Sequence, residues 1–293
     1  MENNTEIATT IINTINTIFE NLFSSIDSNL YKILDELVFV NQDILNDKYF
    51  DKLFGVSSQN GILLISNSLI IGFIIYYAVK FLMSNFTYER IENPAQFILK
   101  CIVFGICMNG SFFILEQILN LNYNISELIR SLGEDLFGKN ISFSELINEI
   151  NGNLSIEKES IDIFTLDGLI KGTLSVSLLN LVFSYSLRYV MIKILVLLSP
   201  FAFLSLSLES TAHFFKSWYR NLFSLLFVQI IVAIVLLLLF SIDYSKGNLI
   251  NKFIYLGGIY GLIRANTIVR ELFGGISTSV QTGISNLKLF SKG

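Results

Sequence analysis

His213 is the only histidine in 293 residues, and the chain has two prolines, two cysteines and one tryptophan. One imidazole cannot build a histidine metal cluster or a histidine-based triad. Two prolines leave no Pro-rich linker. Cys101 and Cys107 lie six apart in one apolar run, so on a helix their thiols point in poorly matched directions and no disulfide is expected. Charge is scarce too: 15% of residues are Asp, Glu, Lys or Arg, against about 25% in a soluble domain. The net charge of −4 argues against a general nucleic-acid-binding surface. No HExxH, P-loop or GxGxxG pattern occurs. Glu209 and His213 have the i,i+4 spacing of an acid–base pair, but a capped helix end explains them better. The chain is expected to be no enzyme and to hold no cofactor or metal. Its first residues, "MENNTEIATT", are acidic and polar, so no cleavable signal peptide is expected and internal spans must direct insertion.

What the sequence has is apolar length: 52% of residues are hydrophobic and the mean hydropathy is +0.60. The fold class this implies is an all-α polytopic membrane protein. Residues 1–60 form an amphipathic N-terminal region. There Ile7, Ile11, Ile15, Ile18, Leu22, Ile26, Leu30, Ile33 and Leu37 recur every three or four residues as one stripe. The stripe is too polar on its other face to span, and a lipid-surface helix, which usually carries Lys and Arg on its polar face, is the less favoured alternative. It should pack on a partner or on the rest of the protein. Two transmembrane helices follow in 61–119, the first over 61–83 and the second over about 96–119, each long enough for a hydrocarbon core of about 30 Å. Residues 120–167 are polar and acidic with apolar residues at helical spacing, a small extramembrane helical segment; Ser126-Glu127 and Ser142-to-Glu145 look like helix starts. Residues 168–269 hold the remaining spans, and 270–293 are a Gly/Ser-rich tail.

The stretch 168–208 is about twice the length of one crossing and contains Ser199-Pro200. One net crossing gives five spans; two give six. With the N-terminus outside and five spans, Arg90, Lys216, Arg220, Arg270, Lys288 and Lys292 fall on the cytoplasmic side, as the positive-inside bias requires. Five is the reading taken, with six as the alternative. Pro200 is then a kink, with the Ser199 hydroxyl placed to meet part of the hydrogen-bonding defect. Phe215, Lys216, Trp218 and Arg220, with Phe214 and Tyr219, read as an interfacial belt or a partner contact. Gly257, Gly261 and Ala265 repeat every fourth residue, as do Gly168 and Gly172, and Cys101, Gly105 and Asn109. Such faces let membrane helices approach closely. Arg188 and Lys193, inside an apolar run without an evident acidic partner, are candidate pathway residues, with snorkelling or pairing across subunits as the plainer role.

The run from Leu187 to Phe240 carries Leu198-Ser-Pro-Phe-Ala-Phe203, then Phe215, Lys216 and Trp218, then a second long apolar stretch. In this it resembles the TrbL family and its VirB-six relatives, polytopic inner-membrane components of conjugative type IV secretion systems. The likeness covers about 60–292 in layout and about 187–240 in motif, without the large C-terminal soluble domain of some relatives. The resemblance implies a channel or scaffold subunit in the cytoplasmic membrane. It implies contact with the other membrane subunits and the ATPases of an oligomeric complex, and with DNA–relaxase or protein in transit. A secondary transporter or small-solute channel is the alternative; inverted repeats with broken helices in matching halves would mark one, and one Pro-broken segment without a matching half is found.

Overall fold

The computed structural model describes residues 10, 11, 13–15, 17, 18, 28–56, 60–87, 93–153, 166–242 and 249–273. Ile7, Leu22 and Ile26 of the N-terminal stripe, together with Tyr88, Arg90 and the tail from 274 onward, lie outside these. Every regular element among the described residues is helical, and none is a strand. The order is α1 (Ser28–Val38), a 3-10 turn (Gln42–Leu45), α2 (Lys48–Phe54), α3 (Ile62–Thr87), α4 (Pro94–Asn109), α5 (Ser111–Phe137) and α6 (Phe143–Asn153). Then come α7 (Leu166–Leu197), α8 (Ser199–Leu204), a second 3-10 turn (Ser205–Ser207), α9 (Ala212–Phe240) and α10 (Leu249–Phe273).

Three of these helices are long and apolar enough to cross a membrane: α3 over Ile62–Ser84, α7 over Val176–Leu197, and α9. The pair α4–α5 makes a fourth if its 58° bend lies within one span. Length and composition mark the chain as a membrane protein. The last of the five expected spans corresponds to α10, which falls outside that set; Lys252, Arg264, Arg270 and Glu271 dilute its apolar run.

The centre of the packed body is α9. On one side lies α5, on another α10, and α7 runs back antiparallel, so that Leu195 meets Trp218 and Arg188 meets Leu225. Two apolar cores lie along this axis. One joins α1, α6 and α7 to Val228, Val232, Leu236 and Phe240 of α9; the other joins residues 40–54 to α5, the end of α7, α8 and the start of α9. The α3–α4 hairpin packs against α8 and the 3-10 turn after it, and is joined within itself by the stacked rings of Tyr77 and Phe97 and by Asn67 and Asn109, whose amides bond reciprocally at 3.1 Å. Ile70 approaches Gly105 there, as the Cys101-Gly105-Asn109 face anticipates.

Local chemistry sets several boundaries. Asn93 caps α4 by accepting from the Ala95 N–H, with Pro94 in the first turn where its missing N–H costs nothing. Asp47 caps α2, which ends on Gly55 at φ 100°, a conformation that favours glycine. Ser142 caps α6 through the Glu145 N–H, one half of the expected capping box. The other expected helix start is displaced: Ser126 lies inside α5, which runs unbroken across the boundary placed at 119/120. Cys101 and Cys107 form no disulfide.

The long 168–208 stretch resolves differently from a kinked crossing. It is one 32-residue helix, α7, followed by a turn. Pro200 opens the short α8 beyond that turn, in the first-turn position proline tolerates. Ser199 Oγ, expected to relieve a kink, is fully buried and has no hydrogen-bond partner among the described residues.

Candidate functional site

The N-terminal segment 28–54 is laid along the bundle as a strap, and the polar groups of the body converge on it. Its apolar face is not the one the stripe suggests: Leu34 and Val38 are fully buried while Ile33, like Ile11 and Ile18 upstream, is exposed. The reason is polar. With Leu34 and Val38 inward, the Asp35 carboxylate accepts from the Phe143 and Ser144 N–H groups at the start of α6, at 2.9 and 3.4 Å. Burial pushes the Asp35 carboxyl above the usual range, against the opposing pull of those N–H groups and of Arg130. Arg130 closes the other side, over the Phe39 ring at 4.5 Å, donating to the Ile141 carbonyl and to Glu127.

The next anchors lie inside the apolar helices. Arg188 is fully buried, and no acid pairs with it among the described residues. Its Nη1 donates to the Val38 carbonyl at 2.9 Å and to Leu37 at 3.4 Å, and its Nε to the Leu225 carbonyl at 2.7 Å. The charge therefore sits at the C-terminal end of α1, where the helix dipole and exposed carbonyls favour a cation. Nη2 has no hydrogen-bond partner among the described residues. Gln229 repeats the device for the strap's irregular backbone. Its Oε1 accepts from the Val40 N–H at 3.1 Å and from Asn122 at 3.2 Å, while its Nε2 donates to Ser126 at 2.8 Å. Lys193 meets Asp47 at 3.6 Å and lies over the rings of Phe50 and Tyr189. The acidic partner the sequence did not reveal for Lys193 is thus the residue that caps α2. Both candidate pathway residues hold the strap.

The belt divides. Trp218 is 4% exposed, donates its Nε1–H to the Leu195 carbonyl at 2.7 Å, and packs against Phe203 and Phe215 at 5.8 and 5.5 Å. It fastens the turn through α8 to the body. Lys216 and Arg220 remain exposed on the opposite face with Tyr219. Glu209 and His213 flank the start of α9, which has no side-chain cap: Glu209 lies 3.9 Å from Lys100, and His213 bonds the Ser210 carbonyl.

The small-residue face of α10 is shifted by one position. A Cβ built on Gly257 or Gly261 meets nothing within 4 Å among the described residues, whereas one on Gly258 would lie 2.2 Å from Leu239. Ala265 is fully buried. Between α7 and α10 the ties are polar: Tyr185 donates to the Leu262 carbonyl and Asn266 to Ser184. Gly172 likewise meets nothing.

Against the strap lies a cavity of about 600 Å³, lined among others by Asp35, Glu36, Asn41, Asp43, Tyr123 and Tyr189. No group of three or more His, Cys, Asp or Glu among the described residues could hold a metal ion. Gln229 was legible as the one amide in the apolar run 222–240, a residue type that marks helix contacts in membranes. No protein-family model matches the chain, and no curated protein sequence matches it either.

Proposed function

We propose that the chain is a multi-pass channel or scaffold subunit of a conjugative type IV secretion system in the cytoplasmic membrane, working without catalysis. Its partners are the other membrane subunits and the ATPases of that system, in an oligomeric complex, and DNA–relaxase or protein substrates in transit. The observation that supports this reading is the joining of the two motif elements that carry the resemblance. The Leu198-to-Phe203 turn folds onto Trp218 and Phe215 and leaves Lys216 and Arg220 outward, as one rigid corner with a basic face. A fixed corner of this kind suits a contact with a neighbouring subunit better than it suits a flexible lipid anchor.

The test is affinity purification of the full chain from native membranes. A secretion ATPase and further membrane subunits should accompany it. Lys216→Ala with Arg220→Ala should lower DNA transfer about tenfold, the loss of about 1.4 kcal/mol at an interface, at unchanged protein abundance. Recovery of the chain without any secretion component sinks the reading. The second reading, a transporter or small-solute channel, gains one observation: the break at Gly110 between α4 and α5 adds a second broken segment to the one at Leu198. It predicts solute flux by the purified chain alone.

A further inference from the structure

The strap is bonded to residues of two membrane-spanning helices, Arg188 and Gln229 near the middle and Lys193 towards one end of its apolar stretch, yet its outer face is polar. Val38 is held by Arg188 and Asp47 by Lys193, both within the apolar stretch Val176–Leu197; Val40 is held by Gln229, well inside α9. Gln42 accepts from Asn120 of α5, and Phe54 packs edge-on against Phe112. From Phe112, against Phe54, to Arg130, over Phe39, an α-helix rises about 27 Å, close to the depth of the hydrocarbon core.

Along that length the surface carries groups that hydrocarbon does not tolerate. Glu36, Asp43 and Asn46 are exposed, and Asp47 keeps 46% of its side chain exposed. The backbone at Phe39–Asn41 is non-helical. Irregular backbone and ionised side chains persist at membrane depth only where protein or water covers them. The inner side of the strap is covered by protein. On its outer side lies the cavity of about 600 Å³, bounded by Asp35, Glu36, Asn41 and Asp43.

We propose that the outer face of the strap borders water at membrane depth, so that residues 36–47 line an aqueous lumen while α3 faces lipid. The occupant of this face is water. Asp43 bonds Asn41 and Asn46 within its own turn, so no bond to a neighbouring chain is needed to hold the turn in shape. Arg188 and Lys193 act from beneath as anchors, keeping a semi-polar segment at a depth that hydropathy would not assign to it. The inference depends on α7 and α9 being spans and not on the secretion reading; a water-lined face would serve either function.

The experiment is a thiol-accessibility scan of the full chain in its native membranes, in a background lacking Cys101 and Cys107. Single cysteines replace Glu36, Asp43 and Asn46 on the strap, and Ile71 and Ile75 on α3. A charged, membrane-impermeant thiol reagent is applied to vesicles of both orientations, with chain abundance measured for each variant. The strap cysteines should react at least about tenfold faster than the α3 cysteines, because the reactive thiolate forms where water reaches it. One variant and one measurement guard against misfolding: Glu36→Cys breaks none of the strap's hydrogen bonds above, and detergent-solubilised protein should show all five cysteines reactive. Strap cysteines that react in detergent but not in native membranes would mean that lipid or a partner protein covers the face, and would overturn the proposal.

Discussion

Two helices of similar length and apolar character meet opposite fates in this molecule. In the most apolar stretch of α3, 6% of residues are buried by protein; in α9 the figure is 56%. The difference lies in what interrupts the apolar run. α9 presents Ser224, Gln229 and Ala233 to its neighbours, and each is buried, so helices can approach and bond at those points. α3 has Ser66 buried near its start, but beyond it Leu69, Ile71, Ile74, Ile75, Val79 and Leu82 are exposed around the helix. A helix apolar on all sides has no preferred face, which is the pattern of a span covered by lipid. Hydropathy measures how apolar a segment is; small and polar residues determine whether protein or lipid lies against it.

Substitutions should divide along that line. The largest effect is expected for Trp218→Ala, which removes a buried ring and its bond to Leu195: about 3–5 kcal/mol, read as a fall in the thermal midpoint of helix loss in detergent by circular dichroism. Gly258→Leu should cost about 1–3 kcal/mol through overpacking against Leu239. Gly261→Leu, facing open space, should leave the isolated protein unchanged while lowering recovery of partner subunits. An equal effect of both would show that the register between α9 and α10 differs from the one described. Gln229→Leu leaves the Val40 N–H and the Asn122 amide without their acceptor at a cost of about 1–3 kcal/mol. It should loosen the strap, measured as faster protease cleavage between residues 39 and 47. Pro200→Ala should shift stability by less than about 1 kcal/mol, since the proline starts a helix instead of interrupting one. Smallest of all, Ile74→Ala and Leu82→Ala should stay within about 0.5 kcal/mol. Trp218, the only tryptophan, supplies the fluorescence signal for every variant except its own.

The helical class, the apolar spans at α3, α7 and α9, and the cap at Ser142 were legible because periodicity and capping are local. The strap was legible only as an amphipathic helix that packs somewhere. Its true face depends on Asp35 reaching the start of α6, 108 residues away. Arg188 read as a pathway cation because carbonyl acceptors leave no mark in a sequence, and Lys193 read as unpaired because Asp47 is 146 residues distant. Trp218 looked like an interfacial anchor, since the indole N–H that suits a headgroup suits a helix carbonyl equally well. The four-residue repeat of Gly257 and Gly261 hid Gly258: spacing reveals a small face, but only the partner helix determines which glycine it meets.

The measurement that bears most directly on the contrast between α3 and α9 is site-specific photo-crosslinking in native membranes. A diazirine-bearing side chain is placed singly at Ile65, Ile71, Ile75 and Leu82 of α3, and at Val228, Val232 and Leu236 of α9. All four α3 positions should yield lipid adducts, and the three α9 positions should crosslink within the chain. Protein adducts confined to one face of α3, or lipid adducts at Val232, would contradict the account.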